Sequence, residues 1–395
     1  MIKSQFHPPQ LKPVQTRLIQ SIFPLIACWG YQLRLNIAQE DIDRLKAIAS
    51  SRVVYLPNHS TLDDGIVLFL LSARLGQLWH YIVAYEVFQG SLGKLLQSAG
   101  AYSIRRGMGD RPSIIQTLNL LQQEACKLVI FPEGGCSYQN DTVMPFRTGA
   151  VELAFKVIAK LVKQGETVPD FYLVPVSLKY QYLQEMDGAI AQDLEQLEVA
   201  LQIKPNSNDF YLRLRNIAER VLINLETEYN LTSSRTNNDW NQRIEYLKNY
   251  LIKECETLLN LDSNAKISIR ERTYKIQYLL ANNDLTSIKI SHKEADYIYK
   301  ITVRLLNFYA VYDGYVAEKP TAERFIDTIN RLKREVFNID RPPPQGKRQA
   351  RVVIGDFVNL KEYWRFYQQN PDDIINDLTN NLQKNVQDNI TQATK

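Results

Sequence analysis

Val53-Val54-Tyr55-Leu56-Pro57-Asn58-His59-Ser60-Thr61-Leu62-Asp63-Asp64 decides the fold. Its apolar opening is short, unbroken and closed by turn-forming residues, the signature of a strand buried on both faces of a parallel sheet. A polar turn follows, carrying an imidazole (His59) and, five residues on, a carboxylate (Asp64). Further along, Leu128-Val129-Ile130 empties in the same way into Phe131-Pro132-Glu133-Gly134-Gly135-Cys136-Ser137. Open α/β sheets keep their active sites just outside the carboxyl ends of their strands. Two polar blocks at two such ends point to catalysis.

Working outward, residues 50–180 read as strand and helix in alternation. Strands are expected at 52–56, 80–84, 101–104, 127–131 and 172–176, with amphipathic helices at 64–75, 113–123 and 149–164. That alternation predicts an α/β fold, a mostly parallel central sheet with flanking helices. From about residue 186 the strand pattern gives way to helical periodicity at 210–229, 240–261, 294–315 and 322–337, and Ser291-His292-Lys293-Glu294 has the spacing of a capping box. The run Arg341-Pro342-Pro343-Pro344-Gln345-Gly346 is incompatible with helix. After it, Arg351-Val352-Val353-Ile354-Gly355-Asp356 reads as a strand, and Asn370-Pro371-Asp372-Asp373 starts a helix with a cap residue, an early proline and acids in the first turn. The expected organisation is therefore an N-terminal helical segment (1–49), a first part of the sheet domain (50–185), a large all-helical insertion (186–348), and a closing strand and helix (349–395).

Apolar and charged contents of 45% and 23% are those of a folded protein, and a net charge of +4 is too small to argue for nucleic acid. Cys28, Cys126, Cys136 and Cys255 form no paired motif, and the four histidines are far apart, so reduced thiols and no metal site are expected. The opening Met1-Ile2-Lys3-Ser4-Gln5-Phe6-His7-Pro8-Pro9 lacks the apolar region of a secretory signal, which favours a cytoplasmic location. The stretch 14–35 is apolar on one side but interrupted by Gln15, Gln20, Ser21, Pro24 and Gln32, so it falls short of a spanning helix. It reads either as a helix lying in a membrane interface or as an amphipathic helix packed on the domain's own core.

A histidine and an aspartate five residues apart are a weak signal by themselves. They can be a structural hydrogen-bonded pair in a loop. They can also be a working dyad: a neutral imidazole takes the proton from an attacking hydroxyl, while a carboxylate on its other nitrogen sets the tautomer and stabilises the imidazolium. No serine or cysteine nucleophile is needed if the substrate brings its own hydroxyl.

Taken together, the blocks resemble those of the glycerolipid acyltransferases, the glycerol-3-phosphate and 1-acyl-glycerol-3-phosphate acyltransferase family. Asn58-His59-Ser60-Thr61-Leu62-Asp63-Asp64 is similar to its N-H-x-x-x-x-D motif, which implies His59 as catalytic base and Asp64 as its partner. Gly100-Ala101-Tyr102-Ser103-Ile104-Arg105-Arg106 resembles the second block, implying Arg106, with its neighbour Arg105, as contacts to an acceptor phosphate. Phe131-Pro132-Glu133-Gly134 resembles the third, where Glu133 and Gly134 would help bind the acyl acceptor, and Val174-Pro175-Val176 the fourth, an apolar turn. Pro145-Phe146-Arg147-Thr148-Gly149-Ala150 is similar to a further family run and adds Arg147 to the substrate-binding set. One departure stands out: the family's third block usually continues Thr-Arg-Ser, and here it continues Gly135-Cys136-Ser137.

The resemblance implies an O-acyltransferase without cofactor or metal. It would move a fatty acyl group from acyl-CoA or acyl carrier protein to the hydroxyl of a glycerol phosphate or lysophospholipid, with 1-acyl-glycerol-3-phosphate (phosphatidic acid synthesis) as the leading acceptor. Peripheral association with a membrane surface is expected, and nucleic acid is not. The missing arginine leaves open another lysolipid, an alcohol or a glycolipid as acceptor. A catalytically silent lipid-binding or scaffold protein is the remaining alternative.

Overall fold

The computed structural model describes residues 6–107, 109–205, 207–231, 239–281 and 290–393, so the first five residues of the N-terminal opening discussed above lie outside the described residues. The chain divides into two compact units. A sheet unit takes in Gln5–Arg105, Gly109–Gln181 and Arg348–Lys395, and a helical unit takes in Met1–Ser4, Arg106–Met108 and Tyr182–Lys347.

In chain order the sheet unit contributes α1 (Pro13–Gly30), β1 (Leu33–Ile37), α2 (Gln39–Ala47), β2 (Arg52–Pro57), α3 (Asp64–Leu75), β3 (His80–Ala84), α4 (Gly90–Ser98), β4 (Ala101–Ile104), α5 (Arg111–Gln122), β5 (Lys127–Val129), α6 (Gly149–Lys163) and β6 (Phe171–Tyr182). The helical unit follows with α7 (Asp187–Ala200), α8 (Phe210–Glu228), α9 (Trp240–Leu258), α10 (Ile269–Ala281), α11 (His292–Phe308), α12 (Tyr315–Glu318) and α13 (Ala322–Phe337). The chain then returns to the sheet unit through β7 (Arg348–Ile354), β8 (Val358–Asn359), α14 (Leu360–Gln369) and α15 (Pro371–Gln392).

The strands form one sheet in the order β1-β7-β6-β2-β5-β3-β4, with β8 antiparallel on β6. β2 lies parallel between β5 and β6, β3 lies parallel between β5 and β4, and β1 is parallel to β7. The carboxyl ends of β2, β3, β4, β5 and β6 therefore open on the same edge. Every residue of β2 is buried, as its unbroken apolar run requires. Two apolar layers cover the sheet, one built on Val53, Tyr55, Leu68 and Val176 and the other on Val54, Leu56, Phe155 and Leu173.

Several expectations need correction. Residues 1–49 are not only helical: Leu33–Ile37 is an edge strand of the sheet, so the helix expected over 14–35 stops at Gly30. Val174-Pro175-Val176 is no turn. It lies inside β6, the longest strand, where Pro175 pairs in register with Leu56 and its carbonyl accepts from the Gly355 amide at 3.0 Å. The helix expected over 294–315 breaks after Phe308, and Gly314, with φ +108°, sets up the separate short helix α12. Asn370 precedes Pro371 as expected, but its side chain caps nothing.

α1 has an inverted polarity. Its buried side is polar: Thr16 Oγ1 donates to the Ser98 carbonyl (2.9 Å), and Gln20 Nε2 donates to Ser72 Oγ (3.0 Å) and the Gln77 carbonyl (2.9 Å). Its apolar stripe of Val14, Leu18, Ile22, Leu25 and Trp29 faces away from the unit, with Leu18 65% and Trp29 83% exposed. Packing on the domain's own core is thus not what this stripe does. No helix among the described residues is long and apolar enough to cross a membrane.

Lys127, at the start of β5, shows how the amino end of the sheet is closed. Its buried ammonium donates to the carbonyls of Ala49 (3.0 Å), Ser51 (2.6 Å) and Ala125 (3.0 Å), tying the turn before β2 to the turn before β5. Lys127→Met leaves three carbonyls without that donor and should lower unfolding free energy by about 2–4 kcal/mol, read from urea denaturation. An unchanged midpoint would show that these carbonyls are satisfied another way.

Candidate active site

The loop leaving β2 carries the ladder past the end of the strand. Asn58, fully enclosed, donates through Nδ2 to the Leu178 carbonyl (3.0 Å) and accepts the Leu178 amide on Oδ1 (2.7 Å), so a side chain continues the pairing with β6. Asn140, in the loop after β5, does the same to Tyr180, at 2.8 Å in both directions. Both polar loops are thereby pinned to one strand.

This anchoring sets up His59. Its amide donates to Glu133 Oε1 (2.6 Å), its carbonyl accepts from the Ser137 amide (2.7 Å), and its ring lies against Phe131 with centroids 4.3 Å apart. Nδ1 lies 2.8 Å from Asp64 Oδ2. The imidazole is 21% exposed, whereas the carboxylate is fully buried at 0%.

Asp64 is the first residue of α3, where the helix macrodipole favours an anion. Besides the imidazole, its Oδ2 accepts from the Thr61 amide (3.0 Å), and its Oδ1 accepts from the Tyr180 hydroxyl (2.6 Å) and Thr61 Oγ1 (3.2 Å). Thr61 and Tyr180 supply three donors to this carboxylate, and the Nδ1–H tautomer of His59 adds a fourth while leaving the imidazole lone pair on Nε2. The Tyr180 hydroxyl is driven well above its usual pKa, by burial first and then by the charge of Asp64, so it stays a donor. Neighbouring Asp63 faces Arg348 at 2.7 Å, and that guanidinium lies 5.6 Å from the centre of the Tyr180 ring.

The other candidates separate. Glu133 is 1% exposed, and its second oxygen accepts from the Met144 amide (3.1 Å), so its side chain holds two backbone segments of the site in place. Gly134 has φ +71°, and a Cβ there would stand 2.7 Å from Arg147 Nε, so glycine is what lets this guanidinium lie against the loop. The Arg147 amide donates to the Pro132 carbonyl (2.9 Å). His59, Asp64, Glu133, Gly134 and Arg147 are thus brought together.

Arg105 lies just past the carboxyl end of β4, its amide donating to Asp110 Oδ2 (2.8 Å) and its guanidinium over the Tyr85 ring (5.2 Å). Arg106 is grouped by contact with the helical unit: its guanidinium lies 4.5 Å from the Tyr274 ring centre and donates to that hydroxyl (3.2 Å). Among the described residues no cluster of three or more His, Cys, Asp or Glu side chains is placed to hold a metal ion.

Reading the sequence missed Tyr180, Thr61 and Asn140. The signal for Tyr180 was present: Val174, Val176, Leu178 and Tyr180 alternate and share one core layer, the period of a strand running on past residue 176.

An acid-supported imidazole at the carboxyl edge of a mostly parallel α/β sheet is an arrangement suited to proton transfer. Residues 36–179 match the Acyltransferase family model, so this part of the chain is a domain of the glycerolipid acyltransferase family and the protein is an O-acyltransferase. No curated protein matches the chain.

Tyr180 bonds to Asp64, so its removal should act through that carboxylate. Tyr180→Phe should lower kcat about 10-fold with little change in KM, a loss of about 1.4 kcal/mol. A KM rise at constant kcat in steady-state assays would refute that role.

Proposed function

We propose that the protein transfers a fatty acyl group from a thioester, acyl-CoA or acyl carrier protein, to the hydroxyl of a glycerol phosphate or lysophospholipid, with 1-acyl-glycerol-3-phosphate as the leading acceptor. The observation that carries this reading is the His59–Asp64 pair at 2.8 Å, in a domain of the acyltransferase family. His59 Nε2 takes the acceptor's hydroxyl proton as the oxygen attacks the thioester carbonyl. The tetrahedral oxyanion collapses, the carbon–sulfur bond breaks, and the leaving thiolate receives that proton from the imidazolium. Asp64 stabilises the cation in between. General-base catalysis of this kind contributes on the order of 10²–10⁴ in rate.

Arg147, which lies against Gly134 in the loop that follows β5, is a cationic candidate for an acceptor phosphate, its planar fork suiting that geometry. Arg105 is a second such group. Arg106, engaged with Tyr274, is the weakest of the three. A different acceptor (another lysolipid, an alcohol or a glycolipid) is the second reading, favoured by Cys136 standing where the family usually has arginine.

The outward apolar stripe of α1 supports association with a membrane surface, where both an acyl chain and a lysolipid reside. An interfacial helix buries its apolar face at the headgroup boundary while the protein remains on one side. The polar contacts of Thr16 and Gln20 fix α1 to its unit with that stripe outward.

His59→Ala should reduce thiol release from acyl-CoA at least 100-fold while leaving the thermal unfolding midpoint within about 2 °C of wild type. Near-normal turnover by that variant would refute the mechanism. Run against a panel of acceptors, the same assay separates the readings, since release with lysophosphatidic acid alone supports phosphatidic acid synthesis. Leu18→Glu combined with Trp29→Glu should abolish co-sedimentation with phosphatidylglycerol vesicles and spare turnover of a short-chain soluble acceptor. Vesicle binding by the double variant equal to wild type would refute the interfacial role of α1.

A further inference from the structure

The acyl-transfer chemistry gives His59 and Asp64 their roles and assigns none to Asp63, the residue before the acid. Asp63 is 6% exposed and Asp64 is 0% exposed, so two consecutive carboxylates are buried where α3 begins. The first turn of a helix tolerates an anion. Two adjacent buried anions disfavour each other's ionised form, and burying either without a partner is costly.

Arg348 brings a cation to Asp63 from a distant part of the chain. It opens β7, whose amino end lies beside the carboxyl end of β6, where Gln349 Nε2 donates to Gln181 Oε1 (2.9 Å). Its Nη2 stands 2.7 Å from Asp63 Oδ2, with 12% and 9% of the two side chains exposed. The turn before β1 holds it there: the Arg348 amide donates to the Gln32 carbonyl (2.7 Å) and Nη2 donates to the Tyr31 carbonyl (3.4 Å). The guanidinium also faces the ring of Tyr180, whose hydroxyl donates to Asp64. The charge of Asp63 is felt at that hydroxyl: after burial and Asp64, it is the next cause that drives the Tyr180 pKa up.

We propose that Arg348 is a positioning residue for the His59 base: by neutralising Asp63 it leaves Asp64 as the one uncompensated charge of the aspartate pair, and so sets the pH below which the imidazole is protonated and idle. This rests on the reading of His59 as the base. Without Arg348 the Asp63 charge is uncompensated, the imidazolium is favoured, and the base stays protonated to higher pH. Without Asp63 the guanidinium is uncompensated and the reverse holds. The other titratable groups on elements that meet this loop are Glu133, Cys136 and Arg147 after β5, and Lys179 on β6, which faces Asp141 at 3.7 Å. They are unchanged in the variants below, so differences between variants report the Asp63–Arg348 pair.

The test follows the His59 imidazole in the full-length protein by NMR of carbon-13-labelled histidine, alongside kcat. The chain has four histidines, and the signal missing from His59→Ala identifies this one. Arg348→Met should raise its titration midpoint by about 0.5–1 pH unit and Asp63→Asn should lower it by a similar amount. The double variant should return it to the wild-type value. On the acid side of the wild-type profile, Arg348→Met should have a kcat about 3–10-fold lower with KM unchanged, and the gap should close as the pH rises. Titration curves that coincide in all variants would overturn the proposal. So would shifts of the same sign in the two single variants, which report a general disturbance of the loop. Should Arg348→Met fail to fold, Asp63→Asn still decides, since a midpoint that stays or rises in it overturns the proposal. Titrations that move as stated while turnover does not follow uphold the role of Arg348 and count against His59 as the base.

Discussion

A carboxylate with no exposure to solvent is the constraint around which the active edge is arranged. Burying an isolated anion costs several kcal/mol even after relaxation, unless donors replace the water it loses. Asp64 obtains them from three directions: the Thr61 amide and hydroxyl within its own loop, the Tyr180 hydroxyl from the neighbouring strand, and Nδ1 of His59. The first turn of α3 adds the field of its unpaired amides. The imidazole is one of the groups that make the burial of Asp64 tolerable, and for that reason its orientation is specified by the fold.

Those donors coincide because of β6. Through Asn58 and Asn140 the loops after β2 and β5 are each bonded to its backbone, at Leu178 and Tyr180, and the side chain of Tyr180 reaches Asp64. The returning chain is fastened to the same strand, with the Gly355 amide on the Pro175 carbonyl and β8 alongside. A proline inside a long strand withholds one ladder donor. Here its carbonyl serves the return instead. A single strand thus positions His59, Asp64 and the re-entry of the chain into the sheet unit.

Legibility followed burial. β2 was readable because an unbroken apolar run is what a doubly covered strand must be, and α13 because its apolar period is clean. β1 was missed since Leu33, Leu35 and Ile37 extend the apolar pattern of α1 without a break, while its edge position leaves alternate residues polar and exposed. The end of α11 was misplaced because Tyr309, Val311, Tyr312 and Tyr315 maintain the helical spacing through a turn that Gly314 interrupts. For the site, His59 and Asp64 could be quoted from one loop, but Tyr180 is 116 positions from its partner, and no local pattern reports such a pairing. Glu133 was legible as a candidate from its loop, but that its two oxygens accept from the distant His59 and Met144 amides was not.

Those two contacts bear on the acceptor of the proposed reaction. With the Glu133 carboxylate committed to the His59 and Met144 amides, its negative charge lies beside the dyad and makes a nearby cation favourable. Arg147 is that cation in the β5–α6 loop, and it approaches closely because residue 134 has no Cβ. Family members that place arginine two residues after this glycine have a second positive group in the same loop, whereas here the position is Cys136. In the proposed reaction an acceptor phosphate would therefore meet Arg147 with one cation fewer around it. An acceptor carrying a single negative charge, or a neutral hydroxyl group, is less penalised by that change than a phosphate monoester. In that proposed reaction the Arg-to-Cys difference would bias the acceptor's charge, while the His59–Asp64 geometry stays as the β6 anchoring sets it.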